Sequence, residues 1–490
     1  MGTPAHSNYH ITMPMRALLA ALLVAVPGVL AQGLPDLGDV AQAGFTPLQE
    51  RRLGEAIMRE IRADRDYYDD AEATDYVNSM GNRLASRSTE SRQDFEFFLI
   101  RDAQINAFAL PGGFIGVNTG LLLAAQAESE VAGVLAHEIA HVTQRHIARM
   151  LMQQKQSSVT TLATLAAALL LSRASTQAAE AAFAFGQAGA IQSQLNFTRD
   201  NEREADRVGL QILDQAGFDP RGMASFFERL QRATRVYEGG APSYLRTHPL
   251  TFERIADMQN RTEQLGYRQV ADSLEFQLIR AKLRAQFDAP RDAVAFFEQS
   301  LAERRFLSEA ASRYGLAASL MRTRDYGRAQ VELESLRKLV PANPIVETLT
   351  CEFTYRAYGP EKALPCLRAA LKAYPSYRAL VYEYANALLQ TKRPAEALRV
   401  VEARLQLITD DYQLYLLQAR SYAALGKPLA EHRAQAEAYI RMGNLTAAME
   451  QLQIGLKSGD GDFYQLSSAE SRLREVRKLD EEQRREAGKR

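Results

Sequence analysis

The first hydrophobic segment of the chain lies at residues 17–26, directly after Arg16. A positive charge, a short apolar run and small residues around Ala31 are the layout of a secretory signal peptide, with cleavage before Gln32. The apolar run is too short to span a bilayer, which needs about 20 residues. We therefore expect residues 1–31 to be a cleaved signal peptide and, in a bacterial source, a periplasmic mature protein without a transmembrane helix.

The following segments alternate between helical and strand-like spacing. Apolar residues over 45–91 recur every three to five positions, as in amphipathic helices, and the run 95–100 is typical of a strand. The stretches 107–110 and 114–117 flank a Pro-Gly-Gly turn, which predicts a β-hairpin. A small sheet is therefore expected ahead of a long helix over 128–152.

A second apolar stretch, 159–171, consists of Ala, Leu, Thr and Val. It is also too short to cross a membrane. Two interpretations stay open. The stretch is either a helix packed on the core, or an apolar surface that contacts a membrane or unfolded client proteins.

Beyond residue 270 the chain becomes a series of predicted helices with an internal repeat. Alanines recur at spacings of 36, 34 and 34 residues (329 − 293, 363 − 329 and 397 − 363), at Ala293, Ala329, Ala363 and Ala397. Ala448 marks a further, less regular unit. This period resembles the tetratricopeptide repeat, whose stacked helix pairs form a superhelix with a concave face for peptides or partner proteins. The last residues, 471–490, carry both charge signs and are expected to form a solvated helix or tail.

Charge balance and cysteine content exclude several classes of function. The chain has 59 basic and 59 acidic residues, so no global basic field favours nucleic acid. Two cysteines are too few for a disulfide scaffold or a thiolate metal cluster, so histidine and carboxylate must hold any metal. Cys351 and Cys366 lie symmetrically about a Gly-Pro turn inside one predicted repeat, where either a disulfide or two buried free thiols would fit.

The chemistry is concentrated at residues 137–141, His-Glu-Ile-Ala-His. In a helix this spacing puts His137 and His141 on one face, where two neutral imidazoles can bind a zinc ion. Glu138 lies between them, near enough to take a proton from the attacking water. His146 lies about 180° round the same predicted helix from His137 and is expected to be a surface histidine.

A catalytic zinc of this kind needs a third protein ligand and keeps one position open for water. Glu202 and Asp206 share one face of a predicted helix, whereas Glu204 points away. Glu202 can complete the zinc sphere while Asp206 accepts the distal N–H of a ligating histidine. Taken alone, however, this segment would be interpreted as a charged, solvent-exposed helix start.

Together these motifs resemble the M48 zinc metallopeptidases over about residues 45–265. The resemblance rests on the His137-Glu138-x-x-His141 motif, the Glu202-x-x-x-Asp206 pair, the sequence Asn-Ala-Phe-Ala-Leu-Pro-Gly-Gly at 106–113, and His248-Pro249. It implies a gluzincin-type α+β domain, mostly helical with a small sheet, that holds one zinc ion per chain. The implied ligands are His137, His141 and Glu202.

The resemblance also makes His248 and Arg254 neighbours of the active site. One hypothesis is that they stabilise the tetrahedral oxyanion. A second is that His248 takes the open position of the zinc as a latch that clients displace, and a third is that it is merely structural. The extended segment before the Gly-Gly turn either pairs with substrate through its main chain or is an ordinary edge strand. Its candidate substrate-binding residues are Asn106, Ala107, Phe108 and Ala109.

We predict a signal peptide at 1–31, an M48 domain at 32–265, an all-α tetratricopeptide-repeat superhelix at 270–470 and a charged tail at 471–490. This combination resembles periplasmic members of the family that act on outer-membrane proteins. It implies hydrolysis of misassembled or stalled outer-membrane proteins, chaperone-like assistance of β-barrel assembly, and contact with the assembly machinery through the repeats. Membrane contact is expected to be peripheral at most. The alternatives are a chaperone or scaffold with minor proteolysis, and a broadly degradative protease.

Overall fold

The computed structural model describes residues 45–88, 94–153, 199–234, 243–266 and 268–488. The predicted signal peptide, the apolar stretch 159–171 and most of the loop 239–243 lie outside these residues. Pro47–Arg490 form one compact unit. In the described ranges, no helix combines the length and apolar character that crossing a membrane requires.

The peptidase half is a small sheet enclosed by helices. Its elements are α1 (Pro47–Ala63), α2 (Ala71–Ala85), β1 (Glu96–Ile100), β2 (Ala107–Leu110), β3 (Phe114–Asn118), α3 (Thr119–Ala124), α4 (Glu128–Thr143), α5 (His146–Gln153), α6 (Arg199–Gln215), α7 (Arg221–Thr234), α8 (Ser243–Thr247) and α9 (Phe252–Gln264). The strand order is β1-β3-β2, with β1 parallel and β2 antiparallel to β3. The predicted hairpin is confirmed, because Leu110 pairs with Phe114 across a turn in which Gly112 and Gly113 have positive φ angles.

One predicted element is wrong. The helix expected over 128–152 is broken into α4 and α5, because Arg145 adopts a left-handed conformation with φ 53°. Its side chain turns toward the first helix, where Nε donates a 2.9 Å hydrogen bond to the buried carboxylate of Glu50. This ion pair holds the break in place and redirects the chain after α4.

The remaining described residues form antiparallel helix pairs. They are α10 (Leu274–Phe287), α11 (Pro290–Ala302), α12 (Glu309–Arg322), α13 (Tyr326–Leu339), α14 (Pro344–Tyr358), α15 (Pro360–Ala373), α16 (Arg378–Gln390), α17 (Pro394–Leu405), α18 (Tyr412–Ala424), α19 (Pro428–Arg441), α20 (Leu445–Leu456) and α21 (Phe463–Gly488). The repeat alanines Ala293, Ala329, Ala363 and Ala397 are fully buried at the contacts between helices, which confirms the predicted superhelix of repeats.

Two features of the array go beyond the predicted repeat. The pair α18–α19 has Glu431 where an alanine would stand, although Pro428 begins its second helix 34 residues after Pro394 (428 − 394). Helix α21 runs through residue 471, and its Leu473 and Val476 are buried against α19 and α20. The segment predicted as a charged tail therefore begins inside a packed helix.

The two halves share one hydrophobic core and a partly buried ionic contact. Lys282 of α10 places Nζ 2.7 Å from Asp70 and 2.8 Å from Glu72, at the start of α2. Tyr377, just before α16, donates a 3.1 Å hydrogen bond to Glu72, and Tyr412 of α18 donates to Asp69. One face of the repeat array is therefore packed on the peptidase half.

Cys351 of α14 and Cys366 of α15 form a disulfide within one helix pair. Of the two alternatives that the sequence left open, the structure has the covalent one. The bond closes a short loop around the turn at Gly359.

Candidate active site

The metal-ligand candidates come from two helices that pack unusually closely. His137 and His141 of α4 are fully buried, and their Nε2 atoms lie 3.0 Å apart. Glu202 of α6 places its carboxylate oxygens 3.5 Å from each of these nitrogens. The approach depends on Gly209 of α6, where a Cβ atom would lie 3.0 Å from the backbone nitrogen of His137. The sequence signal for this close approach of the two helices is an isolated glycine inside a helical pattern.

His248 joins the same group. Its Nδ1 lies 3.0 Å from Glu202 Oε1 and 3.4 Å from His137 Nε2, so four side chains offer donor atoms within 4.8 Å of one another. The histidine follows the short helix α8, where its N–H donates to the carbonyl of Tyr244 and its ring stacks on the tyrosine ring. The arrangement can hold one metal ion, and it puts His248 among the ligand candidates themselves.

Glu138 lies beside this group and is also fully buried. Its Oε1 is 3.5 Å from Nε2 of His248. Burial raises the pKa of Glu138, although His248, His137 and the backbone of Ala109 in β2 act in the opposite direction. A carboxylate with a raised pKa beside a metal site is suited to proton transfer.

Asp206 and Arg254 support the ligands from behind. Asp206 Oδ1 lies 3.1 Å from His137 Nδ1. Arg254 donates two hydrogen bonds to Asp206, of 2.7 and 2.8 Å, and its Nη1 lies 2.8 Å from Glu202 Oε2. The guanidinium is thus engaged by two carboxylates, which favours a positioning role over direct contact with an oxyanion.

The carboxylates also set the charge of the site. Burial lowers the pKa of His137, but Asp206 and Glu202 outweigh it and raise the pKa to about 9. Burial lowers the pKa of His141 well below its ordinary value. Burial raises the pKa of Glu202, but His248 and His137 hold it well below the ordinary value. Burial likewise raises the pKa of Asp206, but Arg254 and His137 hold it below its ordinary value. Glu202 and Asp206 are therefore carboxylates, and a metal ion would bind His137 and His141 as neutral imidazoles.

The prediction that His146 is a surface histidine is wrong. It is fully buried, with Nδ1 2.7 Å from His141 Nδ1 and Nε2 3.0 Å from Glu204. The prediction assumed one continuous helix, whereas the break at Arg145 turns His146 back toward the site. Residues 144 and 145 are glutamine and arginine, which are good helix formers, so no local sequence signal marks the break.

The candidate substrate-binding segment lies at the edge of the sheet that the described residues form. Asn106 is buried just before β2, and within the described ranges β2 pairs with β3 alone. Ala107 and Phe108 are buried, while Ala109 is half-buried. The strand packs against α4, so it runs along the helix that carries the metal-ligand candidates.

Comparisons with known proteins agree with this geometry. The sequence profile of peptidase family M48 matches residues 71–262. The beta-barrel assembly-enhancing protease of Escherichia coli K12 is 33% identical over 454 residues, covering 92% of this chain and 92% of that protein. The protein of the same name from Yersinia pestis is 32% identical and covers 95% of this chain and 98% of its own length.

A third relative matches a shorter part of the chain. The mitochondrial metalloendopeptidase OMA1 of Schizosaccharomyces pombe is 33% identical over 213 residues, which cover 43% of this chain and 60% of that protein. The metallopeptidase motif, the buried donor group and relatives that match both halves lead to one assignment. The chain belongs to the M48 metallopeptidases and, over about nine-tenths of its length, is related to the beta-barrel assembly-enhancing proteases.

Proposed function

We propose that the protein is a periplasmic zinc endopeptidase that hydrolyses misassembled or stalled outer-membrane proteins and assists productive β-barrel assembly. The observation that carries the peptidase activity is the buried group of His137, His141 and Glu202 with Glu138 beside it. The substrate class is supported by the names of relatives that match nearly the whole chain. The signal peptide that the sequence predicts at residues 1–31 supports the periplasmic location.

The donor distances support zinc as the metal. Ligands about 2.0–2.1 Å from a tetrahedral zinc ion lie about 3.3 Å from one another. Five of the six donor pairs, those of His137 with His141, Glu202 and His248 and those of Glu202 with His141 and His248, lie 3.0 to 3.5 Å apart. All four donor atoms lie within 4.8 Å of one another. Two imidazoles with one carboxylate are also a donor set of catalytic zinc sites.

The steps of peptide hydrolysis are then assigned to a few side chains. Bound zinc supplies a Lewis acid that acidifies water and polarises the scissile carbonyl. Glu138 takes the proton of the attacking water and passes it to the leaving amine, so no covalent enzyme intermediate is needed. Asp206 and Arg254 keep His137 and Glu202 oriented during the reaction. An extended substrate pairs with the edge of β2 beside α4.

His248 acts as a latch in this proposal. Its Nδ1 lies at tetrahedral-edge distances from His137 and Glu202, so it takes the position that water needs. If so, His248→Ala raises the cleavage rate. A transition-state role for His248 predicts the reverse, a loss of about 100-fold or more. His432→Ala, which removes a histidine of α19 hydrogen-bonded to Gln451, is the matched control.

We assign the choice of client and partner proteins to the repeats. Stacked helix pairs present surfaces for partner proteins, and we assign them the contact with the barrel assembly machinery. A chaperone or scaffold with minor proteolysis is the second candidate, which the extent of the repeat array favours. The four-donor site argues against it as the whole function, because a scaffold has no need of buried ligands.

The test compares two unfolded substrates of similar length, an outer-membrane β-barrel protein and a soluble protein. Both are incubated with the zinc-loaded protein and with its Glu138→Gln variant. We expect cleavage of the β-barrel protein by the wild type alone, and slower cleavage of the soluble one. Equal cleavage of both substrates would indicate a broadly degradative protease. Protection of the β-barrel protein from aggregation by both forms, without cleavage, would favour the chaperone.

A further inference from the structure

His146 begins α5, directly after the break at Arg145, and it is fully buried against the metal-ligand candidates. Its Nδ1 lies 2.7 Å from Nδ1 of His141, and its Nε2 lies 3.0 Å from Glu204 Oε2. Arg149 completes the series, with Nη2 2.8 Å from the same Glu204 oxygen. The proposed reaction uses none of these three groups.

The positions of the protons follow from the geometry. Nε2 of His141 faces His137 and Glu202, so a metal ion there takes the lone pair of that nitrogen and leaves the ring proton on Nδ1. Two nitrogens 2.7 Å apart need one proton between them. With a metal ion on Nε2 of His141, its Nδ1–H would donate to Nδ1 of His146, and Nε2–H of His146 would donate to Glu204.

We propose that His146 is a positioning residue that fixes the tautomer and ring orientation of His141 for the metal. The two histidine ligands are then supported differently. His137 is backed directly by the carboxylate of Asp206, whereas His141 is backed by an imidazole with the carboxylate of Glu204 behind it. The inference rests on the metal site of the proposed function, but it depends on neither the substrate nor the reaction.

The chain of contacts also reaches the surface. The side chains of Glu204 and Arg149 are 28% and 33% exposed, although His141 and His146 are fully buried. Glu204, at the outer end of this chain of contacts, can therefore be substituted without disturbing the buried core. This gives a graded test, in which a change at His146 weakens metal binding more than a change at Glu204.

The experiment measures zinc affinity of the full chain by competition with a chromophoric chelator, and the visible spectrum of the cobalt-loaded protein. His146→Phe keeps an aromatic ring, which is somewhat larger, and removes both nitrogens. His146→Asn keeps an acceptor oxygen close to the position of Nδ1. His432→Phe in α19 is the control for loss of a histidine outside the site.

We expect His146→Phe to lower zinc affinity about 10- to 100-fold and to alter the cobalt spectrum. His146→Asn restores the affinity to within a few-fold of wild type, and His432→Phe changes neither readout. Wild-type affinity with an unaltered spectrum in His146→Phe would overturn the inference, and so would an Asn variant that folds normally yet is as defective as Phe.

Glu204→Ala keeps the experiment decisive if His146→Phe does not fold. We expect this variant to lose affinity a few-fold while Glu204→Gln loses less, and wild-type affinity in Glu204→Ala would then overturn the inference. Failure of the proposed function looks different. A wild type that binds zinc normally and cleaves no client contradicts the peptidase activity and leaves the role of His146 unaffected.

Discussion

Replacing Gly209 with alanine tests how closely the two ligand-bearing helices must approach. The new Cβ would lie 3.0 Å from the backbone nitrogen of His137 and 3.1 Å from the carbonyl carbon and oxygen of Ala136. Carbon contacts are normally about 3.5–4.0 Å, so α6 must move about 0.5 Å away from α4. Overpacking of this kind costs about 1–3 kcal/mol, whereas the gain in helix propensity from glycine to alanine is at most about 1 kcal/mol.

We therefore expect Gly209→Ala to destabilise the protein by up to about 2 kcal/mol. Because Glu202 and Asp206 belong to the same helix, zinc affinity falls about 10-fold or more as their distances to the histidines lengthen. Thermal unfolding and chelator competition measure the two effects. Gly327→Ala is the control, because no atom lies within 4 Å of its added Cβ and its stability should not fall. A Gly209→Ala protein with raised stability and wild-type zinc affinity would refute the reasoning.

Three other predictions concern ion pairs and the disulfide. Lys282→Met leaves the buried carboxylate of Glu72 without its cation and should lower the free energy of unfolding by about 3–5 kcal/mol. Adding Glu72→Gln should recover part of this loss, and an unchanged midpoint of thermal unfolding in Lys282→Met would contradict the prediction. Replacing Cys351 and Cys366 by alanine costs about 3 kcal/mol for a loop of 15 residues, and reductant should destabilise only the wild type. Arg254→Lys should lower zinc affinity about 10- to 100-fold, since one ammonium cannot hold the carboxylates of both Asp206 and Glu202. Unchanged affinity in chelator competition would show that Arg254 does not orient these carboxylates.

Local patterns predicted the elements that depend on local chemistry. The hairpin at 107–117 follows from its Gly-Gly turn, and the repeats follow from the alanine that each helix pair buries at its contact. The metal-ligand candidates His137 and His141 follow from helical spacing. Glu202 is different, because spacing alone fits a solvent-exposed helix start, and only its combination with the other motifs selected it.

The features that the sequence did not predict depend on contacts between distant segments. Arg145 breaks the helix because Glu50, 95 residues away, accepts its guanidinium. No local signal marks that pairing, so the sequence alone predicts a surface position for His146. The packing of the repeats on the peptidase half likewise depends on Lys282 meeting Glu72, which are 210 residues apart.

The zinc-dependent peptidase activity is tested most directly by a zinc titration of the metal-free protein in which bound zinc and cleavage of an unfolded outer-membrane β-barrel protein are followed together. Cleavage should rise with zinc and saturate at one equivalent per chain. Glu138→Gln should bind the same single equivalent without cleaving. Cleavage that persists in the metal-free protein, or a chain that takes up no zinc at the site of His137, His141 and Glu202, would show that the protein is not a zinc peptidase of this kind.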